Sequence, residues 1–482
     1  MARTVTEKKV NGSFYTPNFI VKSILDLSGY NGDSILKKHV IDNSCGDGAF
    51  LEEIVHRYCT VAFAKSLSVE EISCDLAKYV HGIEIDPIEC GKCRDRITSI
   101  AASYGICHVE WDIICGDALK IHDFDGKMNF VLGNPPYVRV HNLSSSLDDI
   151  KKFSFAQGGM TDLFIVFYEI GLRMLCQNGI LGYITPSSFF NSVAGSYMRN
   201  YVVSNSLLKK VVDLKHCQVF SATTYTTIII MQRGNKKNQI DYYRFNEHKL
   251  LPEYVEKLSS DDYFIGGNFY FSTKENLHLL KQIHTNYGKS DILVKNGYAT
   301  LCDEVFIQDV NFESPFAIPV VKASKGIMQK IIFPYDENAH LLSEKTLQKD
   351  PWLYRYLLNQ KEILIKRSNE RDAKMYWYAF GRSQALLDTF KDKLAINTLI
   401  RNDQDFKFVN APAGIGVYGG LYIISNTVPM SEVVSQLRSS EFITYVSLLA
   451  KYKSGGYYTF SSKDVKSFLD YKFSYDGGLF QC

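Results

Sequence analysis

The first half of the chain repeats one pattern, an apolar segment that ends in a polar or glycine-containing turn. This repeated pattern restricts the possible folds. Helical patterns follow several of these segments, and strands that alternate with helices predict a doubly wound α/β sheet. The predicted strands cover residues 40–42, 79–85, 113–115, 130–132, 179–185, 208–214 and 225–231. Helices are predicted after Thr16-Pro17, over 51–58, after Pro87, and from Asp162 to about Cys176.

Size and composition indicate a soluble globular protein. The chain has 482 residues, of which 46% are hydrophobic and 22% charged, so two or three domains are expected. The N-terminus lacks a signal-like apolar stretch and no apolar run is long enough to span a bilayer, which predicts a cytoplasmic protein without membrane contact. The net charge of +2 means that any nucleic acid must bind in a locally basic cleft. The 11 cysteines, without regular spacing, are expected to be reduced thiols.

The segment Gly133-Asn134-Pro135-Pro136-Tyr137 follows the strand at 130–132, and ligands bind at such strand ends in open α/β sheets. The side-chain oxygen of Asn134 and the carbonyl of Pro135 can accept hydrogen bonds from both N–H groups of a conjugated amine. That arrangement directs the nitrogen lone pair towards an incoming methyl group, while Tyr137 stacks on the ring. A polar turn that only happens to contain Asn-Pro-Pro is the alternative interpretation.

The turns after the earlier strands suit a nucleotide-like cofactor. The glycines between Asn43 and Phe50 let the backbone approach a ligand, although a single Gly-x-Gly is weak evidence. Glu84, at the end of the second strand, can accept hydrogen bonds from ribose hydroxyls, and Asp117 can accept one from an adenine amino group. A solvated strand end is the alternative for Glu84. Cys90 and Cys93 form one CxxC pair without a second, so core packing is favoured over zinc and no metal is expected.

In their order, these motifs resemble the DNA (adenine-N6) methyltransferases of the gamma, TaqI-type class, whose usual setting is a restriction–modification system. The resemblance covers roughly the first 235 residues. Asn43-Ser44-Cys45 departs from the commoner Pro-Ala-Cys turn. The residues that carry the likeness are Phe14-Tyr15-Thr16-Pro17, 42–50, Glu84, Gly116-Asp117-Ala118, 133–137, Asp162 and Val219-Phe220.

The resemblance implies a Rossmann-like domain that uses S-adenosylmethionine as methyl donor. It implies a catalytic group made of Asn134, Pro135 and Tyr137, with Phe220 as a second aromatic residue against the target base. The residues that it implies around the cofactor are Thr16, Asp42, Asn43, Ser44, Cys45, Gly46, Glu84, Asp117, Ala118 and Pro136.

We expect a catalytic domain over 1–235, a connecting region over 236–289, and an α+β target-recognition domain over 290–482. Residues 294–307, 377–384 and 453–460 look like parts of the family's target-recognition domains, although Leu301 stands where the family often has Gly. Double-stranded DNA is the expected partner, with a possible separate restriction endonuclease, since no nuclease module fits upstream of the motifs.

Basic residues alternate with aromatic ones within 361–382, a pattern that suits contacts with phosphates and bases. A solvated helix face followed by a core strand is the alternative interpretation. The residues concerned are Lys361, Lys366, Arg367, Arg371, Lys374 and Arg382, with Tyr376, Trp377 and Tyr378.

Three functions remain open from the sequence. The favoured one is a DNA adenine methyltransferase. A methyltransferase of RNA or of a protein glutamine is the second, because Asn-Pro-Pro-Tyr also occurs in such enzymes. The third is a catalytically silent subunit that only recognises DNA, against which the intact Asn134 loop and Glu84 argue.

Overall fold

A computed structural model describes residues 15–140, 147–220, 224–367 and 376–474. Phe14, Arg371 and Lys374 lie outside the described residues. The chain divides into two compact units, Met1–His278 and Leu279–Cys482. In the described part of the chain, no helix combines the length and the apolar character needed to cross a bilayer.

The first unit is built on a nine-stranded sheet with the order β3-β2-β1-β4-β5-β7-β6-β8-β9. Strands β3, β2, β1, β4 and β5 run parallel, and β7 pairs antiparallel with both β5 and β6. A short hairpin, β10 with β11, stands apart from this sheet. The strands are β1 (Val40–Asp42), β2 (Val80–Glu84), β3 (Asp112–Cys115), β4 (Met128–Gly133), β5 (Leu175–Pro186), β6 (Leu208–Asp213), β7 (Thr226–Gln232), β8 (Gln239–Asn246), β9 (Leu251–Ser259), β10 (Phe264–Ile265) and β11 (Asn268–Phe269).

Local signals in the sequence define several helices of this unit. Helix α1 follows Pro17 and ends at Gly29, whose φ of 76° suits a left-handed C-cap. Helix α4 has Asp86 as its N-cap and Pro87 in its first turn. The helices are α1 (Asn18–Ser28), α2 (Ala49–Ala64), α3 (Val69–Tyr79), α4 (Pro87–Ser103), α5 (Leu147–Ile150), α6 (Leu163–Met174), α7 (Ser196–Ser204), α8 (Ser260–Tyr263) and α9 (Lys274–Thr285), the last of which contains the division between the units.

The doubly wound sheet confirms the predicted fold class, and differences from the predicted bounds have local causes. Helix α6 ends at Met174, before the expected Cys176, because Leu175 already pairs with Met128 in the sheet. Residues 236–289, expected to be a connecting region, hold β8 and β9, which complete the sheet. Along β8, Ile240 and Tyr242 are buried in alternation with more exposed neighbours, the period of a strand that packs on one face.

The second unit is α+β, with three small sheets of strand orders β12-β20-β16-β18, β13-β15-β14-β19 and β17-β22-β21. Its strands are β12 (Leu293–Asn296), β13 (Ile307–Gln308), β14 (Ala317–Lys322), β15 (Ile327–Ile332), β16 (Lys393–Ile396), β17 (Leu399–Ile400), β18 (Phe408–Ala411), β19 (Gly416–Tyr418), β20 (Leu421–Ile424), β21 (Tyr452–Lys453) and β22 (Tyr457–Thr459). Its helices are α10 (Asp303–Phe306), α11 (Glu344–Leu347), α12 (Pro351–Asn359), α13 (Lys361–Lys366), α14 (Met430–Leu437), α15 (Ser440–Leu448) and α16 (Ser462–Phe473).

Candidate active site

The turn after β1, residues 42–48, which we call the cofactor turn, starts with a buried carboxyl group. Asp42 Oδ1 accepts a hydrogen bond of 3.0 Å from the Ser44 backbone N–H. Burial raises the pKa of Asp42 to about 8, with a further contribution from the nearby Glu84. A Cβ placed on Gly133 would lie 2.5 Å from Asp42 Oδ1, so the backbone at the end of β4 packs against this carboxyl.

Asn43 turns its side chain away from the sheet edge and into the core. The buried Tyr183 hydroxyl on β5 donates a hydrogen bond of 2.9 Å to Asn43 Oδ1. Helix α6 has Gly171 where a Cβ would lie 2.6 Å from that hydroxyl, so the glycine makes room for the phenol. The side chain of Asn43 therefore fixes the cofactor turn to β5 and leaves only the backbone of Asn43 for a cofactor.

The remainder of the cofactor turn depends on glycine and packs against α4. Gly46 and Gly48 have φ values of 53° and 89°, and a Cβ on Gly48 would lie 2.9 Å from Cys93 Sγ. A hydrogen bond with Cys93, together with burial, raises the pKa of the Cys45 thiol. Cys90 and Cys93 are both buried on α4. Among the described residues, no cluster of three or more His, Cys, Asp or Glu side chains suits a metal ion.

Glu84 ends β2 with its carboxylate held by two backbone amides. Gly46 N–H donates to Oε2 at 2.9 Å and Asp86 N–H donates to Oε1 at 2.8 Å. Burial raises the pKa of Glu84, and these two hydrogen bonds oppose that shift. Because each carboxylate oxygen has a second lone pair, Glu84 can still accept hydrogen bonds from a pair of ribose hydroxyls.

Asp117 and Ala118 follow β3 along the same edge of the sheet. Asp117 Oδ1 accepts a hydrogen bond of 3.0 Å from the Leu119 backbone N–H, and Ala118 is buried. Acceptors at the carboxyl ends of β1, β2 and β3 match the hydrogen-bond donors of S-adenosylmethionine, which are its ammonium, ribose hydroxyl and adenine amino groups. The residues present therefore fit this cofactor.

The loop after β4, residues 133–137, which we call the Asn134 loop, contacts the cofactor turn directly. Asn134 Nδ2 donates a hydrogen bond of 3.1 Å to Thr16 Oγ1, and the Asn134 carbonyl accepts one of 3.4 Å from Ser44 Oγ. Pro135 is buried, whereas Pro136 and Asn134 are partly exposed. The predicted catalytic and cofactor residues thus meet at one end of the sheet.

Tyr137 meets Phe220 although the two residues are far apart in the sequence. Their ring centroids lie 5.9 Å apart at an interplanar angle of 84°. Phe164 on α6 packs on Tyr137 at 6.3 Å, and the Tyr137 hydroxyl donates to the Ile184 carbonyl at 3.1 Å. Asp162 is the N-cap residue of α6 and forms a backbone bridge with Arg139.

The predicted basic and aromatic stretch of the second unit is largely structural. Trp377 and Tyr378 are buried, with Trp377 Nε1 donating to Glu344 Oε1 at 3.0 Å. Arg367 donates to the carbonyls of Thr300 and Ala379. The alternative interpretation, a solvated helix face followed by a core strand, holds only in part: α13 is followed by a buried segment around Trp377, but that segment is not a strand, and Lys366, Tyr376 and Arg382 are exposed.

Comparisons with known proteins identify similar chains. The Eco57I restriction-modification methylase family matches residues 78–220. Type II methyltransferase M.BstVI of Geobacillus stearothermophilus is 25% identical over 422 residues, covering 77% of this chain and 74% of that protein. Type II restriction enzyme and methyltransferase RM.Eco57I of Escherichia coli is 23% identical over 505 residues, covering 82% of this chain and 50% of that protein.

Two solved structures have a similar fold. The type IIL restriction-modification enzyme MmeI, in complex with DNA, has a TM-score of 0.62 and 14% identity, covering 92% of this chain and 63% of its own. The type ISP enzyme LlaGI, a nuclease-deletion mutant in complex with a DNA substrate mimic, has a TM-score of 0.55 and 12% identity. The match covers 90% of this chain and 45% of the LlaGI chain. This chain thus spans less than two thirds of either protein. Together the matches confirm the predicted resemblance to restriction–modification DNA methyltransferases, and S-adenosylmethionine as cofactor.

Proposed function

We propose that this chain, which resembles restriction–modification methyltransferases, transfers a methyl group from S-adenosylmethionine to N6 of an adenine in a short duplex DNA sequence. One observation carries the proposal: the Asn134 loop contacts the cofactor turn through Ser44 and lies beside Asp42. A methyl donor held by the cofactor turn and an amine held by the Asn134 loop would therefore be neighbours.

The chain's own groups would orient the amine. Asn134 Oδ1 and the Pro135 carbonyl accept hydrogen bonds from the two N–H groups, and Thr16 holds the Asn134 amide in one orientation. The cofactor, when bound, supplies a methyl group on a sulfonium centre that is already a good leaving group. The chain therefore needs acceptors rather than a strong general base at this position, and it loses catalysis when an acceptor is removed.

A duplex presents its adenines stacked and paired, so the target base must rotate out, at a cost of a few kcal/mol. Contact with Tyr137 and Phe220 offsets part of that cost, since stacking on aromatic side chains contributes ~1–3 kcal/mol per base. Residues 290–482 hold the flanking duplex and select the sequence. The DNA complexes of MmeI and LlaGI support this role for a chain of similar fold.

We further infer that methylation protects DNA from a partner restriction endonuclease, an activity that RM.Eco57I combines with methyl transfer according to its name. A reaction on genomic DNA belongs to the bacterial cytoplasm, where thiols stay reduced. The cysteines within the described ranges are all free thiols, which agrees with that location.

The test incubates the full chain with radiolabelled S-adenosylmethionine and unmethylated genomic DNA, then maps modified bases by sequencing. The proposal expects N6-methyladenine in one short sequence context. Parallel reactions contain total RNA and a protein extract. Label found in RNA or in glutamine side chains instead of DNA would favour the alternative methyltransferase, and binding of DNA without any transfer would favour a silent recognition subunit.

A further inference from the structure

The hairpin formed by β14 and β15 in the second unit carries charge of one sign. Residues 317–332 contain Lys322, Lys325 and Lys330 but no Asp or Glu. A fourth lysine, Lys407, lies at the turn: its Nζ donates to the Ser324 carbonyl at 3.4 Å, and a Cβ on Gly326 would lie 3.5 Å from Lys407 Cδ. We call residues 322–330 together with Lys407 the basic hairpin.

These lysines lack the carboxylate partners that other lysines of the unit have. Within the described ranges, no Asp or Glu oxygen comes within 4.0 Å of any of the four ammonium groups. By contrast, Lys295 and Lys391 pair with Asp388 at 2.6 and 2.9 Å. Lys325 and Lys407 lie at the turn, and Lys322 and Lys330 lie on the two strands, so one hairpin carries four like charges. These charges repel one another, and a bound polyanion relieves that repulsion.

The tip of the hairpin also exposes large apolar side chains. Ile327 and Met328 are 45% and 39% exposed, whereas Ile331 and Ile332, at the base of β15, are fully buried. Strand β13 covers β15 only at Lys330 and Ile331, so in the described structure the outer edge of Ile327–Gln329 pairs with no strand. On the other side of the hairpin, β19 pairs with residues 320–322 of β14, so residues 327–329 form an open edge of this four-stranded sheet.

A polyanion that also offers apolar surface between its charges satisfies both features, and duplex DNA is such a partner. Strands at the edge of a sheet can enter the major groove, where apolar side chains contact thymine methyl groups, and apolar residues also enter between base steps. A second copy of the chain fits less well, because it would bring lysine against lysine.

We propose that the basic hairpin enters a groove of duplex DNA, with its lysines on phosphates and Ile327 and Met328 against bases. This inference rests on the proposed function and assigns a DNA contact to residues that the sequence motifs do not include. The lysines contribute affinity without sequence preference, and the two apolar residues contribute to selection of the site.

The test measures the affinity of the full chain for the duplex identified by methylation mapping, over a range of salt concentrations. Each lost phosphate contact reduces the slope of log affinity against log salt by about 0.9. The double variant Lys325→Ala/Lys330→Ala is therefore expected to lower the slope by about 1.8. The matched control is Lys345→Ala/Lys349→Ala, which removes two exposed lysines that form no ion pair within the described ranges; it should leave the slope unchanged.

A second double variant tests the contacts with bases separately from the contacts with phosphates. Ile327→Ser/Met328→Ser should keep the salt slope but lower the preference for the mapped site over a scrambled duplex by about tenfold, since apolar contacts with bases carry discrimination. Both side chains are exposed, so folding should be retained, and circular dichroism checks this. Wild-type slope in the lysine variant, or unchanged preference in the apolar variant, overturns the inference even where the wild-type chain methylates DNA. Failure of the wild-type chain to methylate any DNA overturns the proposed function instead.

Discussion

Tyr183→Phe should weaken cofactor binding through Asn43, the residue of the cofactor turn to which the Tyr183 hydroxyl donates a hydrogen bond. The change removes one hydroxyl, the donor of the 2.9 Å hydrogen bond to Asn43 Oδ1. Asn43 is 1% exposed, so water cannot replace the lost donor. A buried acceptor left without a partner costs ~1–3 kcal/mol, and the central value of about 2 kcal/mol corresponds to roughly a 30-fold change in an equilibrium constant.

Two measurements show how that free energy is distributed. Urea unfolding measures the loss in the free energy of unfolding. Calorimetry with S-adenosylmethionine measures the loss of cofactor affinity that displacement of the cofactor turn causes. We expect both to change, with the KM for the cofactor rising more than kcat falls. Tyr168→Phe is the matched control, because the buried Tyr168 hydroxyl bonds Thr185 at 2.8 Å rather than a residue of the cofactor turn. Cofactor affinity within twofold of wild type in Tyr183→Phe, equal to that of the control, would refute the reasoning.

Three further predictions follow from the same end of the sheet. Glu84→Ala should weaken S-adenosylmethionine binding by ~1.5–3 kcal/mol, because ribose hydroxyls lose their acceptor; unchanged affinity in calorimetry would mean that Glu84 is only a strand end. Gly133→Ala should reduce methyl transfer and thermal stability, because the added Cβ would lie 2.5 Å from Asp42 Oδ1; a variant with normal turnover and melting temperature would contradict this packing. The pKa of Asp42, about 8 in the folded chain against an ordinary 3.8, means that the folded state holds this proton more tightly. The contribution of Asp42 to stability is therefore complete below pH 3.8 and is lost as the pH rises through about 8. In urea unfolding, the free energy of unfolding of Asp42→Asn should decline less over that pH range than that of the wild type. An identical pH profile would argue against a buried protonated carboxyl.

Residues whose roles follow from local chemistry were predictable from the sequence. Pro87 after Asp86 predicts the start of α4, and the glycines of the cofactor turn predict backbone that other residues rarely adopt. The contact of Tyr137 with Phe220 was expected only from the resemblance, because nothing local joins two residues so far apart.

Other features depend on tertiary partners that the sequence does not reveal. The hydrogen bond between Asn43 and Tyr183 joins the cofactor turn to β5 beside a space left by Gly171 on α6, and no local pattern indicates it. Strand β8 did carry a signal, the alternation around Ile240 and Tyr242, which the surrounding charges obscured. Trp377 resembles a base-contacting aromatic residue in a basic stretch, yet Glu344 satisfies its N–H within the unit.

Single-turnover methyl transfer by Asn134→Ala tests the central claim most directly, because Asn134 supplies one of the two acceptors proposed for the adenine amino group. Loss of one acceptor that acts in the transition state costs ~3 kcal/mol, so the rate should fall by two orders of magnitude or more while cofactor affinity stays within a few-fold of wild type. Near-normal transfer by Asn134→Ala, with N6-methyladenine still formed at the same site, would contradict the account.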